Sequence, residues 1–272
     1  MKTKITLLVL LFVGFNVVFA QEAQEKDLET LSIFTEYAKA KNYDAAYEPW
    51  MELRKRNPRF NRAIFTYGER ILKDKINKST GSDKVSHVKD LLKLWNERQT
   101  YFASKTPKGQ FMAKACQLEY DYRKVLHKSD AYLYSSFDTA YQTDAKTFTN
   151  PKSLYTYFSL MVNLYDSGKK PAKDLFNKYD DISEKIESEI KNYTQKLNKF
   201  VPKEGEDEVV LSLKDKRKVK SYNSYLAAYN KIAGSVDSKL GERANCENLI
   251  PLYKRDFEEF KSDGVWLQRA MN

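Results

Sequence analysis

The chain has 272 residues, with 47 Lys+Arg against 37 Asp+Glu for a net charge of +10; it is 42% hydrophobic and 14% aromatic, with Gly 9 and Pro 7. That length buries a core of its own, and so few turn-formers argue against many short strands and for long helices. His 2 and Cys 2 leave little material for a metal centre or for nucleophilic catalysis.

Lys2 and Lys4 precede an apolar run from Ile5 to Phe19, interrupted only by Gly14 and Asn16, which ends in Val18-Phe19-Ala20. This is the layout of a secretory signal peptide over residues 1–20, cleaved before Gln21. The alternative is an N-terminal membrane anchor, but the run is shorter than the roughly 20 residues a spanning helix needs. No Cys follows it, which excludes a lipoprotein anchor. The sequence therefore predicts an exported, periplasmic protein without a spanning helix in the mature chain. The leader holds two lysines and no acid, so the mature part carries 45 basic against 37 acidic residues, a net of +8. Export argues against a nucleic-acid partner and leaves acidic surfaces as the counterpart: anionic headgroups, envelope glycolipid or an acidic protein. The basic residues are also scattered among acids, as on ordinary solvated helix faces.

From Asp27 the pattern is helical. Leu28, Leu31, Phe34, Tyr37 and Ala38 recur at three and four, which predicts one buried face. Asn42-Tyr43-Asp44 breaks the run and caps the next helix. Ala46, Trp50 and Leu53 repeat at four and three, and Asn57-Pro58 ends that helix, because the residue before Pro is pushed out of the α region. Two helices carrying Tyr37, Tyr43, Ala46, Trp50, Leu53 and Pro58 resemble one tetratricopeptide repeat, whose consensus has these residue types at these spacings. The Trp-Leu-Gly with which the family opens its first helix is absent; Thr30, Ile33 and Phe34 stand there. The resemblance covers residues 27–60 and decays afterwards. It implies an all-α solenoid of antiparallel helix pairs, in which Ala46 lets two helices approach and Trp50 fills the groove to the next repeat.

Residues 61–76 predict the next helix, through Ala63, Ile64, Tyr67, Ile71 and Leu72. The polar stretch Asn77 to Lys84 is longer than a repeat turn and predicts an insertion. Val85 to Phe102 follows with Val88, Leu91, Leu92, Trp95 and Tyr101 inside. Thr106-Pro107 opens a helix through Cys116, Leu118, Tyr122 and Val125, and a tyrosine-rich helix spans Ala131 to Ala145. Asn150-Pro151 is a start signal, with Asn as cap and Pro at the first helical position. Tyr155, Phe158, Val162 and Tyr165 form that helix's face, Gly168 ends it, and Pro171 opens the next. There Ile182, Ile186, Ile190, Tyr193, Leu197 and Phe200 make a seam too short for a coiled coil, so it reads as one long packed helix. Pro202 to Glu208 is acidic and turn-like, and separates repeats over 21–201 from further helical repeats over 209–272. Lys214 to Lys220, the densest basic run, begins a helix through Tyr222, Tyr225, Leu226, Tyr229 and Ile232. A last pair starts near Asn245. Asn272 falls inside its final helix, so the sequence predicts either a chain that continues or an end that docks Trp266 and Leu267 on a partner. The alternative is a helix folded back on its own repeat.

Little in the chain points to catalysis. His87 and His127 have no Cys or carboxylate at helical ligand spacing, and Thr80-Gly81-Ser82-Asp83-Lys84 lacks the Walker spacing. Ser167-Gly168-Lys169-Lys170 contains an S-x-x-K string without its companion motifs and reads as a helix-ending turn. A non-enzymatic protein without metal or cofactor is expected. Cys116 and Cys246 are a candidate disulfide closing a loop of ~130 residues; the alternatives are two separate buried thiols, or a Cys246 whose partner is not in this chain. Tyr132, Tyr134, Tyr141, Tyr155, Tyr157 and Phe158 cluster in one third of the chain, mainly as packing between repeats, with some rings left over for protein contacts. Leader, repeat and a Lys/Asn/Tyr-rich composition together resemble envelope repeat proteins of Bacteroidota. That resemblance implies a periplasmic scaffold or adaptor with protein partners beside outer-membrane secretion or uptake machinery, the type IX secretion system among them. The second reading is an extracytoplasmic sensory domain of a larger membrane protein.

Overall fold

The computed structural model describes residues 22–201 and 211–245, together with 250, 254, 257, 261, 262 and 264. All regular structure among the described residues is helical. The chain divides into two compact units, Met1–Phe111 and Met112–Asn272.

In the first unit α1 spans residues 22–39, α2 Tyr43–Arg56, α3 Ala63–Lys78 and α4 Gly81–Tyr101, followed by a short 3-10 turn over Ala103–Lys105. The turn after α1 is tight because Lys41 adopts a left-handed conformation (φ 60°), which lets the Asn42 N–H reach back to the Tyr37 carbonyl at 2.9 Å. The Asn42 side chain then caps α2 by accepting from the Ala45 N–H at 3.3 Å. α1 and α2 run antiparallel: Asp27, near the start of α1, accepts from Arg56 Nε and Asn57 Nδ2 at the end of α2, both at 2.8 Å. Pro49 lies within α2, which continues through it.

The buried stripe of α1 differs from the predicted one. Phe34 and Ala38 are buried as expected, but Leu28 is 52% and Tyr37 42% exposed, while Asp27 and Thr30 are buried in their place. The cause is the Asp27–Arg56–Asn57 cluster, which with the Thr30 hydroxyl accepting from Arg56 Nη2 turns that side of α1 onto α2. The insertion expected at Asn77–Lys84 is a second correction. Only residues 79 and 80 separate α3 from α4, and the polar residues on either side are helix ends. Gly81 supplies the positive φ (54°) at that corner.

In the second unit α5 covers Lys108–Asp121, a helix within which the division falls; α6 covers Asp130–Thr143, α7 Pro151–Asp166, α8 Ala172–Asn198 and α9 Leu213–Gly241. Val125, expected inside α5, is 43% exposed in the turn that ends at His127, whose φ is 52°. Asn150 accepts from the Ser153 N–H at 3.0 Å and Pro151 opens α7, as the sequence predicts. Gly168 (φ 69°) closes α7, with the Lys169 N–H on the Leu164 carbonyl at 2.8 Å.

α7 is the centre of this unit. α6 runs antiparallel to it, pinned by Asn163 to Asp130 at 2.8 Å. α8 and α9 are antiparallel to each other, with Tyr193 stacked on Tyr225 at one end and Tyr179 bonded to Asp237 toward the other. α9 runs in the direction of α7: the Tyr229 hydroxyl donates to the Thr149 carbonyl before α7, and Arg243 grips Asp166 at its end. Ten of the sixteen residues of α7 are buried in consequence, including Leu154, Tyr157, Phe158, Met161 and Val162. Only Tyr229 and Val236 of the 29 residues of α9 are buried. Pro202 to Glu208 lie outside the described residues, and α8 and α9 on either side of them share one unit.

Candidate functional site

The residues that carried the repeat resemblance separate into two groups. Ala46, Trp50 and Leu53 are wholly buried, whereas Tyr43 and Pro58 are half-buried and Tyr37 is exposed. Trp50 leaves α2 and lies on α3: its indole Nε1 donates to the Ile64 carbonyl at 2.8 Å, and its ring covers Gly68. Cys116 is buried in the core of the second unit, where burial pushes its thiol up to about 12. Cys246, Trp266 and Leu267 lie outside the described residues.

Beside Trp50 the structure assembles an ionic cluster that no motif announces. Arg54, 5% exposed, donates through Nε to Glu97 at 2.8 Å and pairs through Nη1 with Asp90 at 2.9 Å, its guanidinium 5.1 Å above the Trp50 ring. A cavity of about 260 Å³ opens here, lined by Arg54, Lys55, Pro58, Asp90, Glu97 and Tyr101 among others. Its buried cation already has two carboxylates, so the cluster ties α2 to α4 rather than awaiting a charged ligand. The one signal available in the sequence is Arg54 itself, a cation four residues after Trp50 and thus on its face.

The second unit holds a comparable knot. Lys178 on α8 is 7% exposed and pairs with Asp138 of α6 at 3.3 Å and Asp181 at 3.0 Å. Its ammonium sits 4.8 Å from the Tyr157 ring, and the Tyr157 hydroxyl donates to the same Asp138. Burial, then that bond, push the Tyr157 phenol well above the ordinary tyrosine range; burial pushes Tyr141 up to about 12. These tyrosines are cross-braces for α6, α7 and α8. Of the predicted aromatic cluster, Tyr157 and Phe158 are buried, Tyr134, Tyr141 and Tyr155 half-buried, and Tyr132 is 45% exposed.

The open surface lies on α9. Five of the seven residues 214–220 are basic. Lys218 pairs with Asp215 at 2.7 Å. Lys216, Arg217 and Lys220 are exposed and form no ion pair among the described residues. Two shallow grooves run along this flank, of about 600 and about 550 Å³, sharing Lys220 and Ser224. The first has Leu211, Val219 and Ala227 in its wall; the second has Pro151, Tyr225 and Ala228, with Lys152 and Arg217 at its edge. Tyr225 is 42% exposed and held by stacking on Tyr193, centroids 5.0 Å apart and planes 12° apart.

Among the described residues no group of three His, Cys, Asp or Glu side chains could hold a metal ion, and no helix is long and apolar enough to cross a membrane. Compared with known proteins, the chain matches no family model, no curated protein and no solved structure.

Proposed function

We propose that this chain is a non-catalytic scaffold of the bacterial envelope, an exported array of tetratricopeptide-like helix pairs that holds a protein complex together. The observation that carries the reading is the way Trp50 joins helix pairs. α1 and α2 are antiparallel, and Trp50 projects from α2 onto α3, over the one residue, Gly68, that leaves room for an indole. Direct contacts between every second helix accompany it: Phe34 meets Tyr67 across α1 and α3, and Arg54 meets Asp90 across α2 and α4. Within the second unit Lys178 meets Asp138 across α8 and α6, and Arg243 meets Asp166 beside α9 and α7. Neighbour and next-neighbour packing of this kind is what a helical repeat array requires. The polar clusters are consumed in holding helices together, which favours binding over catalysis as the work of the surface.

The leader-like residues 1–20 and the basic balance set the proposed location in the periplasm, beside an outer-membrane secretion or uptake complex such as type IX secretion. The test is mild detergent extraction of the native envelope, capture on a C-terminal tag and mass spectrometry. A stoichiometric outer-membrane or secretion component, with a mature N-terminus at Gln21, is the expected result. A chain that elutes alone overturns the adaptor reading, and an intact Met1 overturns export.

A further inference from the structure

We propose that the outer flank of α9 is a docking groove for an acidic, aliphatic-containing segment of a partner protein; the inference rests on the adaptor reading and specifies its binding face. The argument begins from charge. Lys216, Arg217 and Lys220 stand exposed within a few residues of one another, without an ion pair among the described residues, whereas the cations buried in the fold, Arg54 and Lys178, each have two carboxylates. A cluster of like charges repels itself until an anionic partner neutralises it. The groove beside the cluster has an apolar wall, formed by Val219, Ala227, Ala228, Pro151 and Tyr225. Charge at the rim and apolar surface along the floor call for a ligand that carries both carboxylates and aliphatic side chains.

The shape favours a peptide. The two depressions share Lys220 and Ser224 and extend from Leu211 to Ala228. At 1.5 Å per helical residue that flank is roughly 25 Å long, the span of about seven or eight extended residues. A small molecule would leave most of it empty. The Tyr193 stack fixes Tyr225 before anything binds, so the aromatic wall is ordered in advance. Ser221 and Asn223 offer exposed polar side chains along the same flank for main-chain hydrogen bonds.

The test uses the purified chain and three probes: a labelled dodecamer with Leu at every third position and Glu elsewhere, the same peptide with Gln for Glu, and phosphatidylglycerol vesicles. The Glu peptide is expected to bind about tenfold or more tightly than the Gln peptide, from several screened pairs acting together. That advantage should vanish in the Lys216→Glu, Arg217→Glu, Lys220→Glu variant, and shrink between about 50 mM and about 500 mM salt. A charge-matched control, Lys55→Glu, Lys89→Glu, Lys108→Glu, should retain it. All six positions are exposed, so helicity and melting should follow the parent and separate a binding defect from a folding defect. Equal binding of the two peptides, no binding of either, equal loss in both triple variants, or binding of vesicles alone overturns the proposal. The adaptor reading fails on a different result: a chain that binds the acidic dodecamer yet comes out of the envelope with no partner.

Discussion

Gly68→Ala puts the α2–α3 contact to the test, because two opposing effects of known size meet at one atom. A methyl group there would lie 2.6 Å from Cε2, Cζ2 and Nε1 of Trp50, about 1 Å inside the ordinary carbon contact distance. The indole has nowhere to withdraw: Trp50 is wholly buried, its Nε1 is bonded to the Ile64 carbonyl of the same helix at 2.8 Å, and Arg54 lies over its ring. Relief must come from separating α2 and α3, and overpacking of a well-filled core costs about 1–3 kcal/mol. Against this, alanine gains about 0.8–1 kcal/mol over glycine in a helix interior. With backbone on one side and a hydrogen-bonded ring on the other, the clash falls toward the upper part of its range, so the net loss should be about 1–2 kcal/mol. Urea unfolding followed by far-UV circular dichroism measures it. The decisive comparison repeats the substitution in a Trp50→Phe background, where the contacting indole edge is gone. There Gly68→Ala should be neutral or stabilising, giving a coupling of about 2 kcal/mol between the two sites. A Gly68→Ala protein more stable than its parent with Trp50 in place would refute the contact.

Four further outcomes follow from the same packing. Ala46→Trp should overfill the wholly buried α2 face and lose about 1–3 kcal/mol in the same urea assay, and a variant that melts like its parent would contradict that placement. Arg54→Ala should lose about 3 kcal/mol, the lower end for a broken buried pair because Asp90 and Glu97 are 25% and 23% exposed, and Arg54→Met should lose less. Asp166→Asn should lose about 0.5–1 kcal/mol at neutral pH, a modest figure because the carboxylate is 44% exposed and screened. Bonding to Arg243 holds the Asp166 carboxyl below the usual range, so its contribution is present above about pH 4, where the unfolded group titrates, and lost as pH falls through the folded value; parent and variant should melt alike once both are acidified below it. Burial raises the phenols of Tyr157, Tyr229, Tyr141 and Tyr193, the last two to about 12. The folded state thus keeps protons that the unfolded chain releases near pH 10, and stability should fall as pH rises from about 10 toward those folded values. Melting temperatures across that interval, with phenolate absorbance recorded alongside, check it; a flat profile would mean the rings are not held in the core.

What was readable in the sequence was what is determined locally. Asn150-Pro151 starts α7, Asn42 caps α2 and Gly168 closes α7, because caps and left-handed corners depend on a few adjacent residues. Ala46, Trp50 and Leu53 fell on the buried face for the same reason. The misplacements come from long-range polar pairing. Asp27 is buried because Arg56 and Asn57, 29 and 30 residues away, satisfy it, and a periodicity of apolar residues cannot register a carboxylate as core. Hydrophobicity alone places Leu28 and Tyr37 in the stripe, and both lie outside it. Asn77 to Lys84 looked like a loop because it is polar, yet exposed helix ends are equally polar; Lys78 pairs with Asp44 across α2 and α3, at 3.0 Å, instead of lying in an insertion. The basic run at 214–220 was visible as composition, but its value as a site depends on which of its cations remain unpaired, a property of the fold.

α7 and α9 differ in how much of each the core claims. α7 is enclosed by α6, α8 and α9 and buries ten of its sixteen residues, where an introduced charge would have no partner. α9 commits Tyr229 and Val236 fully to the core and half-buries Tyr222, Ile232 and Leu240, which is enough to anchor it. Its other side is free to vary in charge without disturbing the packing. Lys216, Arg217 and Lys220 use that freedom, at a cost in mutual repulsion that ordinary surface mixing of signs would have avoided. Elsewhere the chain does mix signs, pairing Lys73 with Glu69, Lys75 and Lys78 with Asp44, and Lys152 with Asp121. Among the described residues, three unpaired cations beside an apolar groove locate the most consequential charge reversals on α9.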